Sequence, residues 1–179
     1  MPRSPAVLCA LSLGACTPDQ APDPFDPAEL ARIAEDGGNA RGEALTGQYL
    51  TLPDVLACDC PARMGVDLCA PQAAGLVGLQ GPSAIVQVDG YLTMQPEWVS
   101  LPWALSGAID RDGGFLLAGL SRVELGVNAL AVRARFEGSF AADRTFEGEL
   151  GLRLLGDIPG GAVDCRITYA IDGIPVAFY

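Results

Sequence analysis

The sequence predicts an all-β fold: an antiparallel meander closing into a small barrel or sandwich, preceded by a short helix. Three observations carry that expectation. From residue 45 onward the apolar side chains recur with a period of two rather than 3.6. Turn residues, Asp-Gly above all, punctuate the apolar runs. A bridge from Cys165 back to the first cysteines of the β region would join the last strand to the first, as closure requires.

Residues 1–15 read as a secretory signal. Arg3 supplies the positive charge, and roughly ten mostly apolar residues follow, from Ala6 to Ala15. That run falls short of the about 20 residues a membrane helix needs, and no later run reaches that length. The segment ends Leu13-Gly14-Ala15-Cys16, which resembles the lipobox of bacterial lipoproteins. The resemblance implies cleavage before Cys16 and acylation of that residue. It also implies a place in the bacterial cell envelope, at the outer membrane, with membrane contact through the lipid alone. An ordinary cleaved signal, leaving Cys16 a spare thiol, is the plainer alternative.

Residues 16–38 form the second region. Thr17 to Asp26, rich in Pro and Asp, reads as an extended acidic tether. Asp26-Pro27-Ala28-Glu29 then carries the marks of a helix start, with an Asp cap, Pro in the first turn and Glu behind it. Phe25 and Leu30 stand at hydrophobic-staple spacing, and Gly37-Gly38 marks the stop. The expectation is a two-turn helix without a chemical role.

Residues 39–179 form a single β domain. Outside the signal and Cys16, four cysteines remain: Cys58, Cys60, Cys69 and Cys165. An even number in an exported chain argues for two disulfides. A Cys58–Cys60 ring is too small for bridge geometry. One of those two therefore joins Cys69 and the other joins Cys165, in either arrangement. The spacing lacks the paired knuckles of a zinc site, so no metal is expected.

The clearest strands are 130–137, 146–154 and 163–169, where Val132, Phe136, Leu150, Leu152, Cys165 and Ile167 share the oily side. Weaker strands are expected at 46–52, 75–80, 84–89, 91–95, 103–110, 114–120 and 122–127, making nine or ten in all. Asp-Gly pairs at 89–90, 112–113 and 172–173 each read as a hairpin turn. Parity sharpens the second: pairing Ile109 with Phe115 leaves the three-residue loop Arg111-Asp112-Gly113. A repeat, x-Gly-x-apolar-x-x-Asp-x-x-Phe, runs over 106–115 and again over 137–146. In the second copy Arg144 takes the place of Gly113, which suggests a different turn. Gly107, Gly138 and Gly148 fall on inward faces and suggest bending or close approach. The layout is similar to lipocalin-like and streptavidin-like barrels by topological analogy alone, which implies no function.

Composition narrows the function. The 179 residues hold 11 Arg, 22 acids and neither Lys nor His, for a net charge of −11. Without His there is no Ser-His or Cys-His catalysis and no imidazole switch; without Lys there is no Schiff base. The acidity repels nucleic acid. Residues 16–38 carry six of the acids against one Arg, so much of the charge sits beside the β domain. Asp110-Arg-Asp112-Gly113 resembles the start of a calcium loop, but Ser121 stands where the bidentate Glu belongs. Asp54, Asp59 and Asp67 read as solvated loop acids, and Glu147 and Glu149 as a wet strand face. No cofactor is expected.

The densest aromatic stretch, with Tyr91, Met94, Trp98 and Trp103, is the candidate ligand or interaction site. The expected function is a non-catalytic envelope module that binds an apolar small molecule or a partner protein. The alternative is a structural accessory of an envelope assembly with a filled barrel. A hydrolase working through carboxylates alone comes third. Large inward aromatics argue for a filled interior and inward glycines for a hollow one.

Overall fold

The structure, a computed structural model, describes residues 22–62, 67–70, 80–96, 104–125, 128–158 and 161–176. Helix α1 (Pro27–Glu35) begins as its sequence directs, with the Asp26 carboxylate accepting from the Ala28 and Glu29 amides. The strands are β1 (Gly47–Cys58), β2 (Gly81–Val88), β3 (Tyr91–Pro96) and β4 (Leu105–Ile109), then β5 (Gly114–Leu125), β6 (Asn128–Phe140), β7 (Phe146–Ile158) and β8 (Gly161–Pro175). Each pairs antiparallel with the next, and β8 returns to β1 along Tyr49–Cys58, so the sheet is a closed eight-stranded barrel. Closure leaves no strand without a partner on both sides, although β1 pairs with β2 only over Gly47–Thr51 and β5 with β4 only over Phe115–Ala118.

Differences from the expected strands have local causes. Runs 114–120 and 122–127 are one strand, because Ser121 continues the ladder opposite Val132 without a break. Of the expected strand 75–80, only Gln80 lies among the described residues, in a bend before β2. The third Asp-Gly makes no turn. Asp172 and Gly173 sit inside β8, paired with Leu52 and Thr51 on one side and with Glu147 and Phe146 on the other.

The other two Asp-Gly turns are formed. Asp89-Gly90 joins β2 to β3 with Val88 opposite Tyr91, and Asp89 takes φ 51°. Ile109 pairs with Phe115 around Arg111-Asp112-Gly113, with Gly113 at φ 89°. The repeat copies this turn rather than changing it. Phe140 pairs with Phe146, the Ala141 amide donates to the Thr145 carbonyl at 2.8 Å, and Arg144 itself takes φ 71°. A non-glycine residue there is strained. Its guanidinium offsets the strain, donating to the Thr46 carbonyl and the Tyr49 hydroxyl and lying 5.8 Å from the Tyr49 ring centroid.

Among the described residues, a chain segment packs across each end of the barrel. At the end holding these turns, the chain after α1 crosses beneath the strands and buries Ala40 in the core. The Gly38 amide donates to the Gly90 carbonyl and the Ala40 amide to the Ile109 carbonyl. A Cβ on Gly38 or Gly90 would overlap backbone, so Gly38 does more than end the helix. At the other end, bridges Cys58–Cys69 and Cys60–Cys165 fold the segment after β1 over the core. Their sequence separations are 11 and 105. The two-bridge expectation holds, and this is the arrangement among those the sequence leaves open.

Candidate functional site

Whether the barrel holds a ligand depends on what fills it. Toward the turn end, inward Gly138, Gly148 and Gly173 on β6, β7 and β8 lie beneath rings of neighbouring positions. Positions where Cβ atoms would stand on Gly138 and Gly148 are 2.8 Å from the Phe115 ring and 2.7 Å from the Phe136 ring. The Phe146 ring occupies the space over Gly173. Centroid distances of 5.0 Å for Phe115–Phe136 and 5.1 Å for Phe140–Phe146 are those of packed aromatic pairs. Tyr49 joins them, 5.8 Å from Phe146. Toward the disulfide end, Met94, Leu105, Leu154, Cys165 and Tyr169 continue the same core. The inward glycines are seats for rings, and the rings take up the room. Two polar groups inside, the Tyr169 hydroxyl and the Ser83 hydroxyl, have no partner among the described residues. Burial pushes the Tyr169 phenol upward.

The aromatic stretch does not come together as one surface in its described part. Met94 faces inward and belongs to the core, whereas Tyr91 faces out. The Tyr91 hydroxyl donates to the Ala34 carbonyl at 2.9 Å, tying β3 to the end of α1. Trp98 and Trp103 lie outside the described residues, as does Cys16. Four of the acids singled out earlier accept from backbone amides, two nearby in sequence and two far away. The Asp110 carboxylate accepts from the Asn39 amide, that of Asp112 from Gly114, that of Asp59 from Arg166 and that of Asp67 from Cys69. Glu147 and Glu149 are exposed on β7, opposite Asp172 and Glu137. Arg135 pairs with Glu137 at 2.6 Å.

The sequence reading missed what the register does with the other arginines. Arg133 stands directly opposite Arg153, and Arg153 opposite Arg166, so three guanidiniums line up across β6, β7 and β8 on the outer wall. Directly opposed like charges destabilise a sheet. Here residues 23–25, ahead of α1, hold all three guanidiniums and are strapped along the wall; residues 17–21 of the expected tether lie outside the described residues. Asp23 bridges Arg153 and Arg166, Arg133 donates to the Phe25 carbonyl at 3.1 Å, and the Phe25 ring covers Gly151 beneath the Arg166 guanidinium. Leu30 and Ile33 of α1 then pack on Ala118 and Leu116 of β5. The signal for this strap was the outward parity of all three arginines, but only register reveals that they meet.

Two expectations follow for the strap. Asp23→Ala loses a partly exposed ion pair, at most about 1 kcal/mol, which raises the open population about fivefold. Chymotrypsin should therefore cut at Phe25 several-fold faster in the variant while the barrel stays intact. On the same wall Arg153 also holds Asp164 at 2.8 Å and keeps its carboxyl below the usual range. A depressed folded value stabilises above the unfolded pKa, about 3.9, and the gain disappears as pH falls through the folded value. Asp164→Asn should thus unfold at lower urea than the wild type at pH 7, and the two midpoints should converge as pH falls through the folded value. A gap that persists in acid would contradict the ion pair.

Strap and helix cover the outside from β4 to β8. The wall formed by β8, β1 and β2 is uncovered and mostly apolar, with Asp54 and Asp172 as its exposed charges. Leu50 lies between Ile174 and Pro82 in register, with Leu52, Val86, Val88 and Val176 around them. Leu50 is 40% exposed and Val88 57%, and β2 and β3 contain no charged residue. No helix among the described residues is long and apolar enough to cross a membrane. No family model, curated protein or solved structure matches this chain.

Proposed function

We propose that this chain is a non-catalytic lipoprotein of the bacterial envelope, anchored through acylated Cys16, that acts through the outside of its barrel. The packing of Phe115, Phe136 and Phe146 over Gly138, Gly148 and Gly173 carries this reading, because it leaves the described interior to side chains rather than to a small apolar ligand. What the fold offers a partner is its surface, in particular the mostly aliphatic wall of β1 and β2. That favours an interaction or accessory module over a carrier. The Leu13-Gly14-Ala15-Cys16 motif behind an apolar run supports the anchor.

Expression of the full chain in a Gram-negative host with labelled palmitate tests the anchor. Label should enter the protein and fractionate with membranes. Cys16→Ser should lose the label and leave the membrane fraction. Unlabelled wild-type protein would overturn the anchored reading.

A further inference from the structure

We infer that the bare wall of β8, β1 and β2 rests against the bilayer surface, so that the barrel lies on the membrane rather than standing off it. The inference rests on the anchored reading. Six exposed or half-exposed aliphatics line the wall: Leu50, Leu52, Val86, Val88, Ile174 and Val176. They lie across the barrel from α1, whose neighbours are β4 and β5.

The strap fixes where the anchor leaves the domain. Asp23 is held by Arg166 on β8, the strand that also carries Ile174 of the wall. Six residues separate Cys16 from Asp23, a chain that reaches about 25 Å when fully extended. The barrel therefore stays within a short distance of the lipid, at an effective concentration where a weakly apolar wall suffices.

Charge selects the occupant and the face. The chain carries −11, so a second copy and an anionic leaflet are both repelled, and no Arg on β1, β2 or β3 offsets the repulsion. A zwitterionic surface does not repel the net charge, and apolar area then drives contact, with Asp54 and Asp172 left toward the headgroup water. Asp89 lies in the β2–β3 turn at the wall's margin, while Asp172 opposite Leu52 and Asp54 on β1 are the charged groups on the wall itself. On the wall of β6 and β7, the strap and the exposed Glu137, Glu147 and Glu149 would have to be desolvated.

The test is photo-crosslinking of the full acylated chain in phosphatidylcholine vesicles, with a benzophenone amino acid in place of Val86 and, as control, of Glu35 on α1. The expected result is a phosphatidylcholine adduct at position 86 at least fivefold above that at position 35. Crosslinked dimers at position 86, equal lipid adducts at both positions, or none at either would overturn the inference. Intact mass of the same sample reports acylation at Cys16. An acylated chain without the adduct refutes the wall contact alone, whereas an unacylated chain refutes the anchor and the inference with it.

Discussion

Removing the Cys60–Cys165 bridge by a Cys60→Ala/Cys165→Ala double substitution should cost about 5 kcal/mol, against about 3 kcal/mol for Cys58→Ala/Cys69→Ala. The difference comes from loop length: the first bridge closes a separation of 105 residues and the second one of 11, and unfolded-state entropy rises with that length. The longer bridge also has a mechanical position. It joins the segment just beyond β1 to β8, across the seam where the barrel closes. Against a typical total of 5–15 kcal/mol, its loss leaves the domain marginal. Urea midpoints of both variants against the wild type measure this. Equal losses would mean that the seam is held without the bridge.

The second large effect concerns Gly173. A Cβ there would overlap the Phe146 ring, and that ring is hemmed in by Tyr49, Phe136 and Phe140 at centroid distances of 5.8, 6.1 and 5.1 Å. Gly173→Ala should therefore cost about 2–3 kcal/mol by overpacking. Phe146→Leu makes room at its own cost of about 1–2 kcal/mol, set by the gap it leaves. Combined, the two should cost at least about 1 kcal/mol less than their sum, because the new methyl fills space the ring gave up. Additive losses would show that ring and glycine are not in contact.

Much of this fold is legible because a strand has only two faces. Alternation from Leu130 to Tyr169 assigned inward and outward residues correctly, and parity alone placed the Arg111-Asp112-Gly113 loop. The helix start was legible for the same kind of reason, since Asp26 and Pro27 act on their own neighbours. What required the structure is whatever register decides. Asp172-Gly173 has turn chemistry, yet both flanking ladders run through it, because Gly173 serves a ring 27 positions earlier in the sequence. Arg144 accepts a left-handed conformation only because Tyr49 and Thr46 hold its guanidinium from β1 and the turn before it. The arginine row and its strap depend on three strands aligning. In the aromatic stretch, Tyr91 and Met94 are near in sequence but fall on opposite faces of β3, which again only the strand's parity decides.

That function resides on the outer surface is tested most directly by native mass spectrometry of the full chain, purified with its anchor from cells under gentle conditions. The expected spectrum is that of the protein plus its acyl groups, unchanged in composition after denaturation. A stoichiometric apolar compound that leaves on unfolding would place the binding site inside the barrel and contradict the filled core.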